Sequence, residues 1–232
     1  MISIRKIEAL FTKQAKMIWL NPFLLVSVVL SPLLAVLMAR ANPDEAVELF
    51  PMLLTLNVMI VGTFTMCALI AEEKEKNTLG VLITSTVSVW DFLISNLLIV
   101  FILAMGINVF LYLYLGVGDI LSWTQLILVT AQSTLVAAVL GASLGLVSKN
   151  QMTASTLSTP LLLIPMLPIF LPDNFLVDNV LYYFFTEQVH FMLVDMRNGE
   201  FHLFRVIIVT ANLAVFSMIF ALFYKKRGLG VE

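Results

Sequence analysis

Few side chains in this 232-residue chain are suited to chemistry, and two groupings of ionisable residues invite a chemical reading. The first is a run of five charges, Glu72-Glu73-Lys74-Glu75-Lys76. Paired glutamates followed by an arginine at position 77 would suit acid–base hydrolysis inside a membrane. Position 77 is asparagine, and no membrane-spanning stretch supplies a histidine, so that enzyme class is set aside. The second holds Glu187 and His190, a Glu-x-x-His pair on one helical face. Such a motif holds metal when two copies face each other. Here there is one copy, and the only other histidine is His202, so an interfacial polar face is the preferred reading and no metal is expected. The phosphate-cradling G-x-x-x-x-G-K-[ST] pattern is absent, so no ATP hydrolysis and no bound cofactor are expected of this chain. Cys67, the single cysteine, lies in an apolar run and reads as a small packing residue.

The elements that must position these groups are set by composition. Hydrophobic residues make up 60% of the chain and charged residues 12%, with mean hydropathy +1.01. An average soluble domain has about 25% charged residues. Apolar stretches of about 20 residues recur, each long enough to cross a hydrocarbon core as a helix. Helices satisfy every backbone amide within the segment, and these runs are too long and uniform for alternating barrel strands. The fold class is therefore all-α, a polytopic integral membrane protein in one domain, residues 1–232. A net charge of −2 leaves no basic footprint for nucleic acid.

Six spans are expected, at about Phe23–Met38, Phe50–Ala71, Phe92–Leu115, Leu126–Val147, Met152–Leu171 and Phe204–Tyr224. Before the first, Ile4, Ile7, Phe11, Ala15 and Ile18 recur near helical spacing with Arg5, Lys6, Lys13 and Lys16 between them. That predicts an N-terminal amphipathic helix over residues 1–20, lying in the membrane interface with Trp19 as its anchor. Ala39-Arg40-Ala41 resembles a cleavage site, but the long amphipathic lead before the apolar run argues against a signal peptide.

With the N-terminus inside, the inner side carries Arg5, Lys6, Lys13, Lys16, Lys74, Lys76, Lys149, Lys225, Lys226 and Arg227, and the outer side only Arg40, Arg197 and Arg205. This asymmetry places both termini in the cytoplasm of a cell-membrane protein. A seventh span over 175–194 would move Lys225-Lys226-Arg227 outside and put Asp178 and Glu187 at membrane depth. Re-entrant or interfacial outer helices over 172–203 fit better.

The cytoplasmic stretch 72–91 is the most informative. After the charged run, Leu79, Leu82, Ile83 and Trp90 fall at helical spacing, giving a short amphipathic element between two spans. The succession Glu72-Glu73-Lys74-Glu75, Asn77-Thr78-Leu79, Val81-Leu82, Thr84-Ser85-Thr86-Val87-Ser88 and Trp90-Asp91 resembles the loop between spans two and three in ABC exporter permeases of the second integral-membrane class. Asn77 replaces the usual glycine, Thr86 the usual proline and Asn96 a frequent lysine. The resemblance implies two permeases paired as a dimer, a separate ABC ATPase subunit below each that holds ATP and magnesium, and a coupling helix in this loop. Leu79, Leu82 and Ile83 would then face the ATPase groove, with Glu72, Glu73, Glu75 and Trp90 near it.

Two further features suit a membrane bundle that moves within its lipid. Gly141 and Gly145 form a G-x-x-x-G that permits close helix approach. Pro160, Pro165, Pro168 and Pro172 remove backbone donors from span five and make it a candidate hinge. A secondary carrier or channel, and a non-transporting immunity or assembly factor, stay open as alternatives. The spans lack the ionisable residues of an ion relay, which weighs against a carrier. A lining without fixed charge suits amphipathic or apolar cargo, a peptide such as an antimicrobial or toxin-like peptide, or a lipid.

Overall fold

A computed structural model describes residues 4–41, 47–76, 88–119, 121–164, 167, 175 and 179–227. These are almost all helical and contain no strand. In chain order the helices are α1 (Ile4–Leu20), α2 (Pro22–Ala41), α3 (Phe50–Glu75), α4 (Val89–Tyr114), α5 (Trp123–Val147), α6 (Gln151–Leu162), α7 (Phe185–Arg197) and α8 (Leu203–Arg227).

Five of them are long and apolar enough to cross a membrane: α2, α3, α4, α5 and α8. They coincide with five of the six expected spans to within a few residues. The remaining one, expected over 152–171, begins as α6, Gln151–Leu162, and most of 163–171 lies outside the described residues. Pro160 is inside α6, while Pro165, Pro168 and Pro172 lie outside the described residues. At 13 residues, α7 is too short to span, at about 20 Å.

Helix starts are marked by side chains that satisfy free backbone amides. Ser88 and Asp91 exchange hydrogen bonds of 3.1 Å in each direction to open α4. Ser122 with Gln125, and Asn150 with Thr153, do the same for α5 and α6.

The centre of the bundle is α3, buried from Phe50 to Glu73. A helix apolar on every face has no solvent side, so it is surrounded by others. Its middle, Val58–Thr65, is wound as a π-helix. Around it α2, α4 and α5 are stitched by uncharged polar groups. Ser31 Oγ donates to Asn57 Oδ1 (2.9 Å), Asn57 Nδ2 to Asn108 Oδ1 (2.7 Å) and Asn108 Nδ2 to Thr130 Oγ1 (3.2 Å). Each such bond adds roughly 0.6 kcal/mol in a membrane. Asn57 Nδ2 also donates to Ala104 O of α4 (3.3 Å), and the joint effect of these bonds is to fix rotation and register in the buried interior. Cys67 is fully buried and packs against Ala71 and Ala154.

Helix α1 packs along α4. Its inward face carries Leu10, Gln14 and Ile18, whereas Ile4 and Trp19 are exposed. The buried stripe is thus rotated from the expected one and includes a glutamine.

Candidate functional site

The site grows from the C-terminal end of α3, where a spanning helix runs into its charged residues. Four consecutive side chains reach four different elements. Glu72 accepts from Asn21 Nδ2 at the start of α2 (3.1 Å), from Gln151 Nε2 of α6 (2.8 Å), and from Lys76 one turn on. Glu73, 1% exposed at its side chain, meets Lys13 of α1, whose Nζ lies 2.6 Å from Oε1 and 2.7 Å from Oε2. Lys74 turns to the end of α5, donating to the carbonyls of Gly145 (3.0 Å), Leu146 (2.7 Å) and Ser148 (3.2 Å). A cation there satisfies carbonyls left over at a helix C-terminus and complements its partial negative charge. Glu75 Oε2 accepts the backbone N–H of Gln151 at 2.9 Å, at the opposite pole of α6 where an acid is favoured.

A cavity of about 530 Å³ opens beside this junction, between Lys13, Lys16, Glu72, Lys76 and the apolar Met17 and Leu20. Beyond Lys76 the chain enters residues 77–87, which lie outside the described residues and include Leu79, Leu82 and Ile83. It re-emerges at the Ser88 cap of α4, where Trp90 is exposed. Both ends of that loop are therefore held: one by Glu72, Glu73 and Lys74, the other by the Ser88–Asp91 exchange.

Above the junction α3 and α5 approach closely. A Cβ on Gly141 would lie 2.3 Å from the carbonyl oxygen of Thr63, one on Gly62 2.5 Å from Ala137 Cβ, and one on Gly145 2.9 Å from Ile70 Cβ. Thr63 Oγ1 uses the approach to donate to Ala137 O at 3.1 Å. The π-wound turn of α3 thus faces Ala137 and Gly141 of α5, and Gly145 meets Ile70 beyond it. π-segments are rare and recur at functional sites.

The chain matches the family described as ABC-2 family transporter protein over residues 37–224. It belongs to the ABC-2 transporter family. No curated protein and no solved structure matches it. Membership makes the ABC-2 chain the multi-pass membrane subunit of an ABC transporter, a family that works with an ABC ATPase.

Within this ABC-2 chain the ionisable residues of α7 are apart from the junction. Glu187 is buried, and desolvation raises its carboxyl pKa from 4.5 to about 7; burial lowers that of His190. Among the described residues no third ligand joins them. The one His/acid trio within 4.8 Å is Asp195, Glu200 and His202, where Arg205 already pairs with Asp195. A raised folded pKa means that the native state binds more protons than the unfolded one, so Glu187 costs stability as pH rises from 4.5 through about 7. His190 works oppositely, and costs stability as pH falls below its ordinary 6.5. Glu187→Gln should therefore flatten the loss of α7 protection between pH 5 and pH 7, measured by hydrogen exchange of residues 185–197. An unchanged pH profile would place the sensitivity elsewhere.

Proposed function

We propose that the chain is the permease subunit of an ATP-driven exporter in the cell membrane, with both termini cytoplasmic. Two such permeases, identical or homologous, pair with two ATPase subunits, which hold the ATP and magnesium. The loop 77–87 is the coupling element, and Leu79, Leu82 and Ile83 are its contacts with the ATPase.

The observation that carries this reading is the anchoring of both loop ends. A loop that transmits force must not dissipate it by swinging at its roots. Here Glu73 ties one root to α1, Lys74 ties it to α5, and Glu72 with Glu75 ties it to α6. A displacement imposed on the loop is delivered to several helices together. The polar groups inside the spans, Ser31, Asn57, Asn108 and Thr130, are all uncharged. That supports an amphipathic or apolar cargo, peptide or lipid, over an ion-coupled substrate.

The test is a Leu79→Ala/Leu82→Ala/Ile83→Ala variant. Truncating a buried anchor at an interface typically costs about 2 kcal/mol or more. Co-purification of the ATPase should fall sharply and transport should stop, while the permease inserts and folds as before. Glu75→Gln should change ATPase retention little, since glutamine keeps a side-chain carbonyl oxygen that can accept the Gln151 N–H. Full transport by the triple variant would overturn the coupling role.

A further inference from the structure

A second cavity lies between α4, α5 and α8, at the same end of the bundle as the charged junction. It has a volume of about 440 Å³. Ligand sites commonly measure roughly 300 to 1,000 Å³. Small side chains line part of it, Ala138 and Ala142 of α5 and Ala221 of α8, beside the buried Met66 of α3. Leu97 and Phe220 add apolar surface, and the hydroxyls in the lining are those of Ser217 and Tyr224. Along α4 it runs from Trp90 to Leu97, and along α8 from Tyr224 back to Ser217. Seven residues of helix rise about 10 Å, roughly two-thirds of one leaflet of a hydrocarbon core. The slot is therefore open at the membrane surface and closed well before the midplane.

The mouth differs in chemistry from the interior. Trp90, 63% exposed, and Tyr224, 37% exposed, flank it, and both residue types favour the headgroup level of a membrane. Lys225 and Lys226, both exposed, follow Tyr224 directly. The nearest acid in sequence to Trp90 is Asp91, which is buried and engaged with the Ser88 cap, so it does not cancel those charges at the surface. An apolar slot of leaflet depth with an aromatic rim and a cationic edge is complementary to one class of molecule.

The geometry points to a binding site for an anionic phospholipid, its acyl chain in the slot between α4, α5 and α8 and its headgroup at Lys225 and Lys226. The lysines supply the preference for negative charge, because basic residues at a membrane surface attract anionic headgroups. The small residues supply the room, since a longer side chain at Ala142 or Ala221 would take up space in the slot. This site is separate from the junction around Glu73. Its occupant would brace α8, which has little of its own surface buried in the bundle, against α4 and α5.

Trp90 reports on the slot directly. In full-length protein carrying Trp19→Phe and Trp123→Phe, it is the only tryptophan. Reconstitution into phosphatidylcholine vesicles with a small fraction of phosphatidylglycerol brominated on its acyl chains should quench its fluorescence at about a tenfold lower lipid fraction than brominated phosphatidylcholine does. Lys225→Gln/Lys226→Gln should abolish that preference and leave ordinary quenching. Ala221→Leu should reduce quenching by both lipids. A protein retaining only Trp123, at the far end of the bundle, should show no preference. Equal quenching by the two lipids at Trp90 would reduce the slot to ordinary annular contact and overturn the proposal. So would protection of Trp90 from both, since a protein surface would then cover the slot.

Discussion

Gly141→Ala is expected to destabilise the bundle severely, although it adds one methyl group in the middle of a helix. The added Cβ would lie 2.3 Å from Thr63 O and 2.9 Å from Thr63 C and Cα, all backbone atoms of the central helix. A flexible side chain can swing aside; a helix backbone held by α2, α4 and α5 cannot. Overpacking of a tight core typically costs about 1 to 3 kcal/mol, and here the clash also removes the alignment that lets Thr63 donate to Ala137 O. Gly62→Ala meets Ala137 Cβ at 2.5 Å and should rank near it. Gly145→Ala meets Ile70 Cβ at 2.9 Å and should cost less, because this approach is the longest of the three. Gly106→Ala is the internal control: nothing lies within 4 Å of its added Cβ, and alanine is the better helix former by about 1 kcal/mol. Thermal unfolding in detergent should thus order the variants with Gly106→Ala at or above the parent and Gly141→Ala lowest. A Gly141→Ala protein as stable as the parent would mean that α3 and α5 do not approach in this way.

The spans were legible because a membrane helix announces itself by length and polarity, and neither depends on which neighbour it meets. That is why α2, α3, α4, α5 and α8 begin and end near the expected residues. Partnership is another matter. Asn57 and Asn108 each sit alone within an apolar run, and nothing local says that they bond to each other across 51 positions. The run Glu72–Lys76 has the composition of a solvated turn, yet Glu73 is buried and its cation comes from α1. The apolar stripe of α1 was expected along Ile4, Ile7, Phe11, Ala15 and Ile18. The face buried in the bundle is Leu10, Gln14 and Ile18, so it is chosen by shape and includes Gln14, which no hydrophobic pattern selects. The G-x-x-x-G was visible in α5, but its counterpart was not, because Gly62 and the π-wound turn around it carry no motif of their own.

Lys13→Met should be more damaging than removing both members of its ion pair. In the parent, Glu73 is 1% exposed and Lys13 39%, so the acid has lost its water and the lysine has lost only part of its own. Removing the cation leaves a buried carboxylate facing a thioether. Breaking a buried pair in this way costs about 3 to 5 kcal/mol, and the open side of Lys13 should bring this one toward the lower figure. Adding Glu73→Gln to Lys13→Met replaces the buried charge with a neutral amide of the same shape, so the double variant should recover part of the loss. The two substitutions are then strongly non-additive, as expected of groups in contact. Lys76→Met provides the contrast. Its side chain is 57% exposed, and Glu72 keeps Asn21 and Gln151 as donors, so this change should cost less than about 1 kcal/mol. Protease sensitivity of residues 4–20 separates loss of α1 docking from loss of the whole bundle, because α1 reaches the junction through Lys13. It should rise in Lys13→Met and fall back in the double variant while the spanning helices stay protected. If the double variant were no more stable than Lys13→Met alone, the burial of Glu73 would be compensated from within α3. Its tie to α1 would then contribute nothing to holding the root of the loop four residues further on.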